Sequence, residues 1–327
     1  MVITWSMAAD RIGGGPTARR AGRSIDPQCP AGRSHTPEQK REIMRGKTTS
    51  SARSRFIGAE LRRHREAANW SAIALCRRLG WLPATMSRVE SGQRGATPVN
   101  LAIYLTACGV PISQQDQLLA LARQGEVWLY AHDDLVPEQV PALRFTRESA
   151  DRVTCYHPGW LPELLWTKEF ATWRGRSPLE AQRSPDGTPI LFYLTESSLR
   201  SLPTEHHIRG ELLTRLVTLS GRDRVRVRVV PAAAEQRVPA AGRFWLFEFG
   251  EHRPAACTQS DAMTLFSERY RDIAVYRQIV AELKAVALAE PESLDLITQI
   301  SAPGFPHHNG QVIQTVDPTG VERSNAV

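Results

Sequence analysis

Between residues 56 and 124 apolar side chains recur three and four positions apart, the spacing of one face of a helix. The stretch that organises this part is residues 71–92, SAIALCRRLGWLPATMSRVESG. Leu75, Cys76 and Leu79 share a face behind Ser71, whose hydroxyl can accept from a first-turn N–H. Gly80 has the backbone freedom that ends such a helix. Pro83 suits the first turn of the next one, where its missing N–H costs nothing. Met86 and Val89 give that second helix a buried side, and Gly92 stops it. Helix, tight turn and helix make a helix-turn-helix. The same periodicity predicts flanking helices over 56–68, with Ile57, Leu61 and Ala68 inward, and over 98–108 and 113–124.

Past residue 145 the pattern changes. Residues 189–195 (PILFYLT) read as a buried strand and 225–230 (VRVRVV) as a half-exposed one. Residues 243–249 (RFWLFEF) and 255–258 read as two more. Helices are expected over 208–219, over 269–289 with Ile273, Tyr276, Ile279, Val280 and Leu283 on one side, and over 292–300. Thr146 can cap a helix that continues through 148–153. The expected fold class is therefore an all-α five-helix domain over 55–125, followed by an α+β domain with a small mixed sheet over 145–301. Residues 126–144 read as a linker, interrupted by Pro137 and Pro141 and partly docked through Trp128, Tyr130 and Leu135. Residues 1–54, a basic leader rich in Gly, Pro, Ser and Arg, and residues 302–327 hold too few large apolar groups to offset ordering entropy. Both are expected to be disordered. Met44 stands shortly before the helical part as an alternative start of translation.

Charge sharpens this division. Residues 53–125 carry 10 Lys and Arg against 4 Asp and Glu, whereas 126–327 carry 22 against 26. Basicity thus coincides with the helix-turn-helix, as expected of a surface that meets phosphates. No apolar run approaches the roughly 20 residues of a membrane helix, and the N-terminus has no apolar segment of signal-peptide type. A cytoplasmic protein is expected. The five cysteines, at 29, 76, 108, 155 and 257, are scattered and lack a CxxC spacing. They read as reduced packing residues rather than a disulfide or zinc framework.

Trp70-Ser71, Leu75-Cys76-Arg77-Arg78-Leu79-Gly80 and Met86-Ser87-Arg88-Val89-Glu90-Ser91-Gly92 follow a recurrent order: apolar-Ser, then Leu-Ala-x-x-Leu-Gly, then Ile-Ser-x-Ile-Glu-x-Gly. In this the chain resembles phage-repressor and Cro-like (XRE-type) transcriptional regulators. A second stretch, residues 156–171 (YHPGWLPELLWTKEFA), resembles the signature Tyr-Glu-Pro-x-Leu-Val-Pro-Gly-Leu-Leu-Gln-Thr-x-x-Tyr-Ala, with Glu163 and Trp166 in place of its Gly and Gln. That signature belongs to a C-terminal domain of uncharacterised function that accompanies the repressor-like helix-turn-helix in many regulators of high-GC filamentous bacteria.

The resemblance implies that helix 83–91 enters the major groove of double-stranded DNA. Base contacts would come from its start: Pro83 and Ala84 through a thymine methyl, Thr85 through its hydroxyl or methyl, and Arg88 through a bidentate guanine contact. Ser71, Ser87, Ser91, Gln93 and Arg94 would touch phosphates. Ala72 stands where the family often has a phosphate-binding Gln, and Ile73 is apolar where a polar residue is usual. Arg65 and Glu90 would form a structural ion pair, neutralising a carboxylate that would otherwise repel phosphate. Because one helix-turn-helix reads only about half of a typical site, a homodimer is expected; the resemblance also implies a small partner protein encoded next to it in an antitoxin-like arrangement.

Catalytic patterns are missing: the sequence has no HExxH, GxSxG or GxxxxGK[ST]. His206-His207 reads as a surface helix start rather than a metal site. Arg226 and Arg228 share one strand face and could bind an anion, although a solvated face is the simpler reading. Phe244, Trp245, Phe247 and Phe249 read as core more readily than as a ligand pocket. No enzyme, cofactor or metal is expected. An adaptor that has lost operator recognition, or a small-molecule sensor built on the C-terminal domain, are the rival readings.

Overall fold

Ser51 opens the first helix, α1 (Ala52–Ala67), its Oγ accepting from the Ser54 N–H at 3.0 Å. The helix thus starts ahead of Phe56, because the cap lies in what reads as leader. The computed structural model describes residues 50–132, 140–176, 187–238, 242–260 and 262–301. Of the disordered leader expected over 1–54, residues 50–54 are instead ordered, leading through the cap into the first turn of α1, and the rest lies outside the described residues, as do the tail expected over 302–327 and Leu135 and Pro137 of the expected linker.

Four more helices follow: α2 (Ala72–Leu79), α3 (Pro83–Glu90), α4 (Pro98–Ala107) and α5 (Ile112–Arg123). Ser71 caps α2 by accepting from the Ala74 N–H at 3.2 Å, and Gly80 ends it at φ 67°. Leu61, Leu75, Met86, Leu101, Tyr104 and Leu105 are buried between the helices. Two glycines set how closely α1 meets α3. A Cβ on Gly58 would lie 2.6 Å from the carbonyl oxygens of Val89 and Glu90, and one on Gly92 would lie 2.5 Å from the Arg55 backbone.

The rest of the described chain is built on a seven-stranded mixed sheet in the order β1-β7-β6-β5-β2-β3-β4. Its strands are β1 (Val127–Ala131), β2 (Arg152–His157), β3 (Ile190–Thr195), β4 (Val225–Val230), β5 (Phe244–Glu248), β6 (Ala255–Gln259) and β7 (Met263–Ser267). β2, β3 and β4 are parallel, and the other neighbours are antiparallel. The helices are α6 (Pro141–Glu148), α7 (Lys168–Trp173), α8 (Glu196–Arg200), α9 (His206–Ser220), α10 (Ala232–Glu235), α11 (Tyr270–Val286) and α12 (Glu290–Ser301). Each sheet face buries its own core. Leu212, Leu216 and Ile297 of α9 and α12 pack with Phe192, Val227 and Trp245, in a core continuous with that of the helix-turn-helix. Ile273, Ile279 and Leu283 of α11 pack with Tyr193, Phe244 and Leu246.

Four expectations need correction. The linker expected over 126–144 is partly sheet: Val127–Ala131 is the edge strand β1, paired with β7, and Trp128 stacks on Phe266 at 3.9 Å. Pro141 does not interrupt structure there, because it occupies the first turn of α6. The helix expected through 148–153 ends at Glu148, and Thr146, rather than capping it, bonds back to the Ala142 carbonyl at 2.7 Å. Arg152–His157 is instead the inner strand β2, buried from Val153 onward, so it shows no alternation to read. Pairing with β7 likewise adds a strand where none is expected.

Candidate nucleic-acid interface

On α3 the exposed positions are Pro83, Ala84, Ser87 and Arg88, with Ser91 just beyond its end. Met86 and Val89 point the other way, into the core, and half-buried Thr85 and nearly buried Glu90 lie between the two sides. Spacings of one, three and four residues place the exposed set on a single face. Every expected base contact except Thr85 is therefore exposed. Gln93 and Arg94 continue the same exposed edge past the helix.

Hydroxyl commitments divide the expected phosphate contacts. Ser71 accepts from the Ala74 N–H, which leaves its own proton to donate. Ser91 donates to the Arg88 carbonyl at 3.3 Å. Arg88 itself folds back along its helix, Nε donating to the Ala84 carbonyl at 3.1 Å. Its two terminal nitrogens remain available as a planar fork.

Arg65 and Glu90 meet side-on. Nε donates to Oε1 at 2.8 Å and Nη2 to Oε2 at 3.0 Å, while Nη1 donates to the Trp70 carbonyl at 3.0 Å. The Tyr104 hydroxyl also donates to Glu90 Oε1, at 2.7 Å. The bond to Glu90 holds the Arg65 guanidinium above its ordinary pKa, while burial and the Glu90 carboxylate push the Tyr104 phenol up. One end of α3 is thereby pinned to α1 and α4. Sequence reasoning passed over Tyr104, because a tyrosine among apolar residues reads as packing.

The positive charge of this half is unevenly committed. Arg62 pairs with Glu66 at 2.8 Å, and Arg63 with Glu60 at 2.7 Å. Among the described residues of this half Arg77, Arg78, Arg88, Arg94 and Arg123 are exposed and carry no ion pair; Arg78 lies 5.6 Å from the Trp70 ring. Arg123 ends α5, and the other four belong to α2, α3 and the turn after α3. Beside them, Ile73 and Leu82 are 60% and 72% exposed. Leu82, at the N-cap of α3, is an exposed apolar residue that the sequence reading did not single out.

The other end of α1 is held by the sheet. Glu268, at the end of β7, accepts from the Ala52 N–H at 2.7 Å, the Arg53 N–H at 3.3 Å and the Trp128 indole N–H at 3.2 Å. A carboxylate here meets the positive end of the helix dipole. Burial nevertheless outweighs these bonds and the nearby Arg55, so the Glu268 carboxyl sits above the ordinary range. The Arg55 guanidinium lies 4.3 Å from the Phe249 ring, and burial pushes it down to about 10, so it stays protonated at neutral pH.

Residues 57–118 match the family model of a helix-turn-helix domain, and residues 173–299 match that of a domain of unknown function (DUF5753). Together they support a helix-turn-helix regulator. No curated protein matches the chain. Among solved structures, the chain is similar to TrmBL2, described as an archaeal chromatin protein with a novel mode of DNA binding. The match has 9% identity and a TM-score of 0.28, and covers 58% of this chain and 65% of that one. So slight a likeness does not establish a shared fold.

Elsewhere, His206 and His207 are exposed at the start of α9, and among the described residues no group of three or more His, Cys, Asp or Glu is placed to hold a metal ion. Cys76, Cys108, Cys155 and Cys257 are not joined in disulfides; Cys29 lies outside the described residues. Phe244, Trp245, Phe247 and Phe249 are buried in the core. Among the described residues no helix is long and apolar enough to cross a membrane.

Proposed function

We propose that this protein is a transcriptional regulator of the phage-repressor or Cro-like (XRE) type, which places α3 in the major groove of its operator and acts by binding rather than catalysis. One observation carries the reading: of the five exposed arginines without an ion pair in the described helical half, four (Arg77, Arg78, Arg88 and Arg94) gather on α2, α3 and the turn that follows, with Arg123 apart at the end of α5. Arg88 reads a base, and Pro83, Ala84, Thr85 and the exposed Leu82 offer apolar surface to thymine methyls. Arg94, Gln93, Ser71, Ser87 and Ser91 hold the backbone.

A single helix-turn-helix reads about half of a two-fold operator. The regulator therefore acts as a homodimer, with the exposed side of α11, where Tyr270 and Val275 are solvent-facing, as its contact. The domain beyond residue 126 receives a signal or a small partner protein encoded nearby, in an antitoxin-like arrangement. Mapping of the bound protein across its genome tests the reading. Enriched sites sharing a two-fold motif are expected. Uniform background would favour an adaptor that keeps the fold without an operator.

A further inference from the structure

The two helical layers do not cover the sheet equally. α9 and α12 cover β4 on one face, and α11 lies across β5 and β6 on the other. Beyond α11, that second face of β2, β3 and β4 is left as a cleft of about 630 Å³. Ligand sites of small molecules typically span about 300–1,000 Å³. Leu191 and Leu246 form an apolar floor, and Val280 of α11 adds an apolar wall.

The rim is cationic beyond what its carboxylates can neutralise. Six lining side chains are Arg or Lys, and three are Asp or Glu. Glu248 alone serves two guanidiniums, Arg152 at 2.6 Å and Arg277 at 3.2 Å. Arg226 reaches Glu290 only at 3.8 Å. Arg228 and Arg224 are held by neutral carbonyls. Arg228 donates to Leu288 and Ala287, at 2.8 and 2.6 Å, and so fixes the end of α11; Arg224 donates to Gly187. Lys284 faces the same space from α11, one turn beyond Val280.

We infer that this cleft binds an amphipathic organic anion, a molecule whose carboxylate, sulfonate or phosphate meets Arg226 and Lys284 while an apolar body covers Leu191, Leu246 and Val280. An inorganic anion would satisfy the rim and leave the floor wet. A neutral apolar molecule would leave the rim's surplus charge unanswered. This gives chemical content to the proposed signal-receiving role of the second domain and rests on that reading only for its biological use, since binding here does not require DNA.

The test uses the full-length protein without DNA and 8-anilinonaphthalene-1-sulfonate, an aromatic sulfonate whose fluorescence rises in apolar surroundings. One saturable site, displaced by decanoate, is expected. The R226A/K284A double variant should weaken binding at least tenfold, and so should K284E alone. L191D should weaken it comparably, with melting temperature and circular dichroism recorded for each variant to show that it is folded. The uncharged analogue N-phenyl-1-naphthylamine should bind at least tenfold more weakly than the sulfonate. Unsaturable binding, or affinity unchanged in the folded variants, would overturn the site. Equal binding of the uncharged probe would overturn the anion requirement, and displacement by sulfate as effective as that by decanoate would overturn the apolar one. DNA binding is measured separately, so either result can fail without the other.

Discussion

At Glu90 a carboxylate sits on the helix proposed to face phosphate, and its neighbours decide its role. Arg65 and Tyr104 occupy it from inside, and the Arg65 and Glu90 side chains are only 9% and 10% exposed. Removing one member of such a pair leaves the other buried and uncompensated, at about 3–5 kcal/mol. Arg65→Ala should therefore lower the urea midpoint strongly and Glu90→Gln less, with a double-mutant cycle showing coupling. Additive effects would mean that the pair contributes no interaction of its own. Arg88 and Arg94 give a contrasting prediction. Arg88→Ala should cost about 1–3 kcal/mol on the operator and little on random DNA. Arg94→Ala should weaken both and flatten the salt dependence by about one unit. Equal losses on both DNAs for Arg88→Ala would make Arg88 a backbone contact. The exposed residues of α3 were legible from apolar spacing alone, because Met86 and Val89 fix which way the helix turns. The partner of Glu90 was legible only through family resemblance, since nothing local links positions 65 and 90.

Among the elements, helices of the N-terminal half announced themselves through caps and period. Ser71, Gly80 and Pro83 each do in the structure what their chemistry suggests. The sheet was harder to read. β1 (VWLYA) is apolar at every position and β7 (MTLFS) carries Met263 and Leu265 on its exposed side, so apolar alternation marks neither, and β2 is buried almost throughout. What a strand pairs with is a non-local fact, and a short apolar run does not encode it. The packing of α1 on α3 yields a prediction of its own. Gly58→Ala would drive a methyl to within 2.6 Å of two backbone carbonyls, which cannot rotate aside. The variant should lose stability by about 1–3 kcal/mol, the range for overpacking. Because the carbonyls belong to Val89 and Glu90, it should also lose DNA affinity while keeping every DNA-facing side chain. Full affinity in a folded Gly58→Ala protein would show that the end of α3 can move without consequence.

On the scale of the whole molecule, Glu268 joins the sheet to α1. Its carboxyl titrates above the unfolded value of about 4.3. Between those two values the native state keeps a proton that the unfolded chain has lost, so stability falls as pH rises through that window and levels off above it. Glu268→Gln removes the titration. Relative to the wild type it should gain stability as pH is raised from 4 to 7, measured by urea unfolding at each pH. A constant difference would mean that Glu268 ionises normally. Glu268→Ala should instead lose stability, since it strips an acceptor from the buried N–H groups of Ala52 and Trp128. The same joint bears on how freely this protein's parts can be exchanged. A helix-turn-helix looks like a cassette that could be cut out and fused to another receiver. Here its first helix borrows an N-terminal cap from β7, and its Phe56 ring lies 6.2 Å from Tyr130 and 5.8 Å from Phe145. A chimera cut at residue 125 would carry the reading head without the socket that seats it. Any working transplant would have to bring along β1, α6 and the end of β7, more than a hundred residues downstream of the cut.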